Sequence, residues 1–390
     1  MTTNAKMRQL TTTECADLWS DCVFQESSRQ RRPSGPFRLG VLRGEGIGPD
    51  VIQAALEVLA AIESVCPHRF EVRQGGLIGR EAEERCGRAL SDEVMSFCRD
   101  LFDHKGALLC GPGGGRFVYN LRKQFDLFCK LSPLRATPEL FDATRLKPDV
   151  VRNADILLVR ENVAGIYQGH WSESQSTAEG RRAEQSFAYS EREVRRILEV
   201  AARIAKRRRG EMTVVIKDGG IPLISDLWRD CGLEVAARED VRASFMNVDH
   251  AAYRLVQTPG DFDVLVCPNL FGDILADLGG VLLGSRGISF SGNFASTGVA
   301  AYQTNHGAGH DLFGKDRANP VAQIFSFAML LRESFGLTRE ATLIEHAVSA
   351  VWREGWRTFD LMHNGSRLVG TREMGKRIAD SVVRLARQAD

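Results

Sequence analysis

Apolar and polar positions follow two alternating patterns along most of this chain. From Phe37 onward, short runs of consecutive apolar residues are followed by stretches in which apolar residues recur every three or four positions. The first pattern is typical of strands buried on both faces, and the second of amphipathic helices. Strands separated by helices need crossover connections, so the pattern predicts an α/β fold with a mainly parallel sheet. The predicted strands span residues 37–42, 106–110, 154–159, 212–216 and 262–267.

Residues 1–36 lack this alternation and are predicted to form an N-terminal extension. A Thr-rich start at Thr11 can cap a short helix that reaches Trp19, and a polar stretch over residues 27–35 follows. The arginines of that stretch suit a solvated connector better than a polyanion site. The pattern assigns no function to the extension.

Composition excludes several classes of protein. The 390 residues carry 51 Lys+Arg against 50 Asp+Glu, so bulk charge argues against nucleic-acid binding. Nine cysteines without a Cys-x-x-Cys pair argue against a disulfide framework or a cysteine-rich zinc site. No run of about 18 apolar residues and no signal-like N-terminus occurs, which predicts a cytoplasmic protein without membrane contact.

Three segments carry candidate chemistry. The turn from Gly44 to Gly48 joins a strand to a helix, but its spacing differs from the dinucleotide fingerprint and alone predicts only a tight turn. The glycine-rich loop that begins at His306 leads into an apolar helix, as a nucleotide-binding loop or a structural loop would.

The third segment is the acidic run Asn269–Asp277. On a helix that begins around Gly272, Asp273 and Asp277 lie on one face, where like charges repel unless a cation lies between them. Hard oxygen ligands suit Mg²⁺ or Mn²⁺. Two solvated carboxylates are the alternative, although the apolar neighbours favour a buried setting.

Together these segments resemble the isocitrate/isopropylmalate dehydrogenase family of metal-dependent β-decarboxylating dehydrogenases, over residues 37 to about 385. The motifs that carry the resemblance are Gly44–Asp50, Leu121–Lys123 with Asp126–Phe128, Arg160–Tyr167, Val248–Asp249, Asn269–Asp277 and the His306 loop through Pro320.

The resemblance implies an isopropylmalate-dehydrogenase-like two-domain α/β fold with an interdomain active-site cleft. Residues 37–128 and 285–390 would form the discontinuous large, NAD-binding domain. Residues 129–284 would form the small domain, which carries the metal and catalytic residues and an arm near 165–190 that builds a homodimer. In the family, the lysine and one metal-binding aspartate come from the neighbouring subunit, so the two active sites would be shared.

The implied reaction is NAD-dependent oxidative decarboxylation of a 3-substituted malate with Mg²⁺ or Mn²⁺. Asp249, Asp273 and Asp277 would hold the metal. Lys217 would take or relay the proton of the substrate hydroxyl, and Tyr167 would reprotonate the enol after carbon dioxide leaves.

Arginines would bind the substrate carboxylates. The resemblance assigns this role to Arg122 and Arg160. The usual Leu-Arg-Pro arginine is replaced by Ser132, and Arg135 is a candidate substitute. Arg116 would favour an acidic 3-substituent, which ranks isocitrate, homoisocitrate or a phosphonate analogue first.

Alternatives to this substrate stay open. Arg116 also suits a solvated position, and the apolar Phe117 and Val118 keep 3-isopropylmalate as an alternative, with tartrate and malate. Gly219 and Leu278 replace residues that are usual in the family. A catalytically weak regulatory subunit of a hetero-oligomer is therefore the other class of function.

The His306 loop would bind the cofactor. In the family, the position of Asp311 faces the adenosine ribose, where a carboxylate accepts hydrogen bonds from both hydroxyls and repels a 2′-phosphate. Asp311 and Leu312 therefore predict NAD rather than NADP. His306, Gly307 and Asn319 would pack around the adenine end.

Overall fold

The computed structural model describes residues 18–25 and 35–389. Its strands are β1 (Phe37–Leu42), β2 (Phe70–Gln74), β3 (Ala107–Cys110), β4 (Cys129–Arg135), β5 (Asp155–Glu161), β6 (His170–Trp171), β7 (Gln175–Thr177), β8 (Gly180–Arg182), β9 (Gln185–Ser186), β10 (Glu211–Ile216), β11 (Arg242–Asn247), β12 (Val264–Cys267), β13 (Phe290–Phe294), β14 (Ala300–Thr304), β15 (Trp356–Arg357) and β16 (Arg367–Leu368).

The α-helices alternate with these strands. They are α1 (Gly48–Val65), α2 (Gly79–Cys86), α3 (Asp92–Asp103), α4 (Phe117–Gln124), α5 (Pro148–Val151), α6 (Glu191–Lys206), α7 (Pro222–Glu239), α8 (Val248–Gln257), α9 (Asn269–Leu283), α10 (Val321–Glu333), α11 (Thr338–Arg353) and α12 (Thr371–Ala389).

Ten strands form one sheet in the order β11-β10-β12-β5-β4-β13-β14-β3-β1-β2. Pairing is parallel except at the centre, where β4 runs antiparallel to β5 and β13, and β13 runs antiparallel to β14. The predicted α/β fold is confirmed, and all five predicted strands are present within two residues of their expected bounds. The central antiparallel strands were not predicted.

The sheet divides into two halves that follow the chain. One half, here called the outer-segment half, holds β1, β2, β3, β13 and β14, whereas the middle-segment half holds β4, β5, β10, β11 and β12. The two halves meet where β4 pairs with β13. The predicted domain division stays a prediction, but its boundaries separate these same two sets of strands.

The glycine turn before α1 is built for close approach of two backbones. Gly46 has a φ of +55°, and a Cβ there would lie 2.2 Å from the carbonyl oxygen of Ala308. The amide of Ile47 donates to that same oxygen at 2.8 Å. The turn therefore fixes the His306 loop against the start of α1.

Four short strands, β6 to β9, form the segment predicted as an arm. Within the described part of the chain they pair only with one another, β6 with β9 and β7 with β8, and every residue in them is exposed. Trp171 is among them, with 53 % of its surface exposed.

In the part of the chain that the structure describes, no helix has the length and apolar character needed to cross a membrane.

Residues 18–25 dock on both halves of the sheet. The amide of Ser20 donates to Glu333 of α10, and Phe24 packs against Phe294 of β13 with ring centroids 6.0 Å apart. From the other half, the α6 residue Arg203 donates to a backbone carbonyl of the segment. The predicted helix up to Trp19 falls mostly outside the described residues, and a 3₁₀ helix spans Trp19–Cys22.

We expect Phe24→Ala to lower the free energy of unfolding by about 3 kcal/mol, because it opens a cavity between the segment and the sheet. Urea denaturation followed by tryptophan fluorescence measures this change. Phe313→Ala is the matched control, since Phe313 is exposed. An equal loss of stability in both variants would mean that Phe24 does not anchor the segment.

Candidate active site

A cleft of about 230 Å³ opens where the two halves of the sheet meet. Its charged lining comes from three elements: Arg122 on α4, Lys130 on β4 and Asp273 on α9. The remaining lining residues are Pro112, Gly113, Phe117, Val118, Tyr119, Gln303, Thr304, Asn305, His306 and Gly307. Because the two cationic side chains outnumber the single carboxylate, the cleft suits an anionic ligand.

A network of polar side chains lies at the wall of this cleft. The buried guanidinium of Arg160 donates to Asn269 Oδ1 at 3.1 and 2.8 Å and to Asp273 Oδ1 at 2.5 Å. Tyr167 donates its hydroxyl to Asp273 Oδ2 at 2.9 Å. Both carboxylate oxygens of Asp273 are therefore engaged within the chain. Helix α9 begins at Asn269, three residues before the predicted start, and so brings Asn269 into the network.

The network controls the ionisation of its members. Burial alone would raise the pKa of Asp273, but the charges of Arg160 and Lys130 outweigh it and lower that pKa. Burial, together with the Asp273 carboxylate, raises the pKa of Tyr167 above its usual range. Tyr167 therefore retains its proton at neutral pH, while Asp273 stays ionised.

Glu161 orients the loop that carries Tyr167. Its carboxylate is fully buried and accepts hydrogen bonds from the amides of Val163 and Ala164 at 2.9 and 3.0 Å. Burial nevertheless raises the pKa of Glu161 to about 7. The sequence pattern gave no sign of this shift, because it depends on packing from several elements.

We expect stability to fall as the pH rises from about 4.5 to 7, through the titration of Glu161. In this window the folded chain keeps a proton that the unfolded chain has released, so unfolding becomes easier with rising pH. Glu161→Gln should reduce the slope of the melting temperature against pH. Glu173→Gln, in the exposed arm, should retain the wild-type slope. Identical slopes in all three proteins would contradict this prediction.

Arg122 lies at the floor of the cleft. It is 3 % exposed, and its Nε has no hydrogen-bond partner among the described residues. Burial and the neighbouring Arg160 lower the pKa of Arg122 to about 9, so the guanidinium remains charged at neutral pH. A buried, unpaired guanidinium is costly unless a ligand anion completes its hydrogen bonds.

Two predicted substrate residues are not brought into the cleft. Arg116 donates to the backbone carbonyl of Tyr167 at 2.9 Å, and its guanidinium lies over the rings of Trp171 and Tyr119, at 4.6 and 5.2 Å from their centroids. Arg135 is exposed at the far end of β4, in register with Asp155. Neither arginine lines the cleft.

The predicted metal ligands fall into separate groups within one chain. Asp277 pairs with Arg286 at 2.9 Å, one helical turn from Asp273. Asp249 lies instead on α8, where Lys217 donates to it at 2.8 Å and thereby lowers its pKa. Over residues 18–25 and 35–389, no cluster of three metal-ligating side chains occurs in a single chain.

A second cavity, of about 330 Å³, adjoins the first. Four of the predicted cofactor residues line it, namely His306, Gly307, Leu312 and Asn319. Asp311 is exposed beside Leu312 and is not part of the lining. The other lining residues are Ile47, Ser285, Arg286, Gly287, Gly309, Arg317, Ala318, Phe359 and Asp360.

His306 and Gly307 line both cavities. The Nδ1 of His306 contacts the Gly307 carbonyl at 2.9 Å, whereas its Nε2 is buried and finds no partner in the described parts of the chain. Burial lowers the pKa of His306, so the ring is neutral at physiological pH. A ligand that spans the two cavities would pass this imidazole and supply the missing hydrogen bond.

Sequence reasoning missed several polar residues of the two cavities. Lys130 carried no motif signal, since a lysine in a short strand is usually solvated. Asp360 lies outside every motif, and Arg317 lies within the His306 loop but received no role, yet both line the second cavity. Asp360 accepts hydrogen bonds from Asn319 at 3.0 Å and from Ser285. Only their position in the fold identifies these residues.

Comparisons with known proteins agree with this geometry. A family profile described as "Isocitrate/isopropylmalate dehydrogenase" matches residues 38–378. The 3-isopropylmalate dehydrogenase of Geobacillus kaustophilus is 38% identical over 363 residues, which cover 90% of this chain and 96% of that protein. The 3-isopropylmalate dehydrogenase of Aquifex aeolicus is 35% identical over 363 residues, with 90% and 98% covered.

Solved structures show the same fold. The isocitrate dehydrogenase from Methylococcus capsulatus superposes with a TM-score of 0.78 at 30% identity and covers 89% of this chain and 99% of its own. The TT0538 protein from Thermus thermophilus superposes with a TM-score of 0.81 at 27% identity, with 94% and 72% covered.

Proposed function

The chain belongs to the isocitrate/isopropylmalate dehydrogenase family and is thus a β-decarboxylating dehydrogenase acting on a CH-OH group, and we propose that it oxidises a 3-substituted malate with NAD and Mg²⁺ or Mn²⁺. One observation carries the proposal. The cation-lined cleft beside Arg160, Asp273 and Tyr167 adjoins a second cavity through His306. A hydroxy acid and a nicotinamide cofactor would meet at that junction.

Several side chains in and beside the cleft have a task in this reaction. Arg122 binds a substrate carboxylate through its unpaired guanidinium, and Arg160 provides a second positive charge while it orients Asp273. Tyr167 holds a proton at its hydroxyl oxygen, ready for the carbon that loses carbon dioxide. Asn269 fixes the Arg160 guanidinium and so keeps this arrangement in place.

The carboxylates fit a divalent cation. Asp273 and Asp277 are hard oxygen donors one turn apart on α9, and each is held by a guanidinium that a cation can displace. When bound, Mg²⁺ or Mn²⁺ would acidify the substrate hydroxyl. Asp249 completes three carboxylates only if it comes from a second copy of the chain.

A homodimer with shared sites accounts for the position of Lys217. Lys217 and Asp249 form an exposed pair of their own, apart from the cleft lining. Large apolar side chains on the helices that surround this pair are also exposed: Leu223 on α7 (81 %), Tyr253 on α8 (61 %) and Ile274 on α9 (54 %). Burial of these side chains against a second copy would bring Lys217 to the partner's cleft.

For the 3-substituent we favour an uncharged group over an acidic one. Arg116 would favour an acidic group only if its guanidinium were free, but that guanidinium is engaged by the Tyr167 carbonyl and two aromatic rings. The cleft wall is formed instead by Phe117, Val118 and Tyr119. The relatives named 3-isopropylmalate dehydrogenase support the same preference.

The second cavity fits a dinucleotide. Arg286 and Arg317 supply positive charge for a pyrophosphate, and Leu312 with Ala318 supplies apolar wall for an adenine. Asp311 stands exposed beside Leu312, where its charge would repel a 2′-phosphate. We therefore propose NAD as the hydride acceptor.

We expect Asp311→Asn to lower the ratio of kcat/KM with NAD to kcat/KM with NADP by on the order of tenfold, because a repulsive charge is removed. Steady-state assays with each cofactor measure the ratio. Asp149→Asn is the control, since Asp149 is exposed on α5 and lines neither cavity. An unchanged ratio in Asp311→Asn would assign the cofactor preference to other residues.

The test of the proposed function is NADH formation by purified protein with Mg²⁺ or Mn²⁺. The substrates are 3-isopropylmalate, isocitrate, homoisocitrate, malate and tartrate, and Lys217→Ala is the blank. We expect turnover of a 3-substituted malate, fastest with an uncharged substituent. Turnover of isocitrate or homoisocitrate alone would instead favour an acidic 3-substituent. Folded protein that binds NADH but turns over none of the panel would favour the regulatory subunit.

A further inference from the structure

Lys130 is a buried lysine at the centre of the sheet, and the proposed reaction leaves it without a task. Its side chain is 4 % exposed and lines the cleft beside Arg122 and Asp273. In register, Lys130 stands directly opposite Arg160 of β5 on one side and Asn293 of β13 on the other. Directly opposed side chains share one face of an antiparallel pair, and opposed like charges destabilise it.

The side-chain amine of Lys130 is not directly paired within the described residues, although the charges of Asp273 and Asp277 favour its protonated form. It makes no hydrogen bond and no ion pair with them, and the nearby carboxylate of Asp273 already contacts Arg160 through Oδ1 and Tyr167 through Oδ2. Burial has the largest effect on the pKa of Lys130, followed by the charges of Arg122 and Arg160, and together they lower this pKa well below its usual range. An amine buried without a hydrogen bond costs free energy, and a bound carboxylate would relieve that cost and favour the protonated form.

The surroundings of Lys130 leave room for such an anion. Ser132 follows two residues later on the same face of β4, and its buried hydroxyl has no hydrogen-bond partner within residues 18–25 and 35–389. Arg122 has an unpaired Nε in the same cleft. Arg122 and Lys130 thus line one small cavity whose single carboxylate is already engaged, and the unpaired Ser132 hydroxyl lies on the strand face that carries Lys130.

We propose that Lys130 is a substrate-binding residue that donates a hydrogen bond to one carboxylate of the hydroxy acid. This inference rests on the proposed function and deepens it. Arg122 and Lys130 together require a ligand with at least two carboxylates, so 2-hydroxy monocarboxylates such as lactate are excluded as good substrates. Lys130 thereby supplies the cation that Ser132 cannot supply.

The test is Lys130→Met, which keeps the length of the side chain and removes its charge. Malate is the binding probe, because every 3-substituted malate contains it. With Mg²⁺ present, we expect calorimetry to show a dissociation constant for malate raised on the order of 100-fold, and KM for the best substrate of the panel to rise similarly. The dissociation constant for NADH should remain unchanged.

A second readout separates substrate binding from a structural role. Because the buried ammonium lacks a partner, Lys130→Met should raise the melting temperature of the ligand-free protein, whereas loss of a structural lysine would lower it. Lys123→Met is the matched control: Lys123 is exposed on α4 and should leave the malate affinity unchanged. Lys130→Asn combined with Ser132→Arg should recover most of the malate affinity by returning a cation to the same face.

The outcomes distinguish this inference from the proposed function. If the wild type binds malate and Lys130→Met binds it equally well, Lys130 is not a substrate-binding residue and the proposed function stands. If Lys130→Met melts at a lower temperature with unchanged malate affinity, the lysine is structural. If the wild type neither binds malate nor turns over any 3-substituted malate, the proposed function fails, and the role of Lys130 fails with it.

Discussion

A homodimer of Lys217→Met and a homodimer of Asp273→Asn should both show no turnover. A heterodimer with one Lys217→Met subunit and one Asp273→Asn subunit should recover about half of the wild-type activity. Within one chain, Lys217 pairs with Asp249 on the α8 side, whereas Asp273 lines the cleft with Tyr167. In a shared site, one subunit's Asp273 works with its partner's Lys217. The heterodimer therefore contains one intact site and one site that lacks both groups.

Co-expression with two different affinity tags and sequential purification isolates this heterodimer. The decisive control is a heterodimer of Lys217→Met and Asp249→Asn. Because these two residues come from the same side of the site, each site of that heterodimer lacks one of them and activity should stay absent. Recovered activity in both heterodimers, or in neither, would contradict a site shared in the proposed way.

Tyr167→Phe should lower kcat by about 10²- to 10⁴-fold and change KM only a few-fold. The tyrosine hydroxyl donates to Asp273, and its raised pKa keeps the proton available for the enol carbon. Phenylalanine retains the ring and loses the proton. Reaction in D₂O adds a second measurement: the wild type should deliver deuterium to one face of the product carbon, and the variant should lose that selectivity.

Tyr302→Phe is the matched control for this prediction. Tyr302 is fully buried and bonds Ser334 at 2.7 Å, and it lines neither cavity. Loss of its hydroxyl should lower stability by about 1 kcal/mol and leave kcat unchanged. Wild-type kcat together with stereospecific deuteration in Tyr167→Phe would remove Tyr167 from the proton-transfer step.

The parallel part of the fold was predictable because its strands are continuous apolar runs. Strand β12, whose four residues Val264–Cys267 are all buried, is an example. The central strand β4 was not predictable, because it carries Lys130, Ser132 and Pro133 in place of an apolar run. Lys130 faces a cleft that exists only after both halves of the sheet have formed, and a local pattern holds no information about that cleft.

The same distinction applies to the site. Asp273 and Asp277 were predictable as neighbours because helical spacing alone brings them together. The side chain of Arg116 was not, since its direction depends on Trp171 from the arm and on a carbonyl 51 residues away. Lys130 was missed for a similar reason: its burial comes from strands that are distant in sequence.

The docked segment 18–25 has a consequence for ligand binding at a distance. Residues 18–25 hold no regular structure beyond one 3₁₀ turn, so their order depends on contacts with both halves of the sheet, such as Gln25 with Ser296 and Arg207 with Leu18. A ligand that holds the two halves of the sheet together should therefore also oppose local opening of this segment. We expect such a ligand to slow hydrogen exchange at the amide of Gln25, which lines neither cavity.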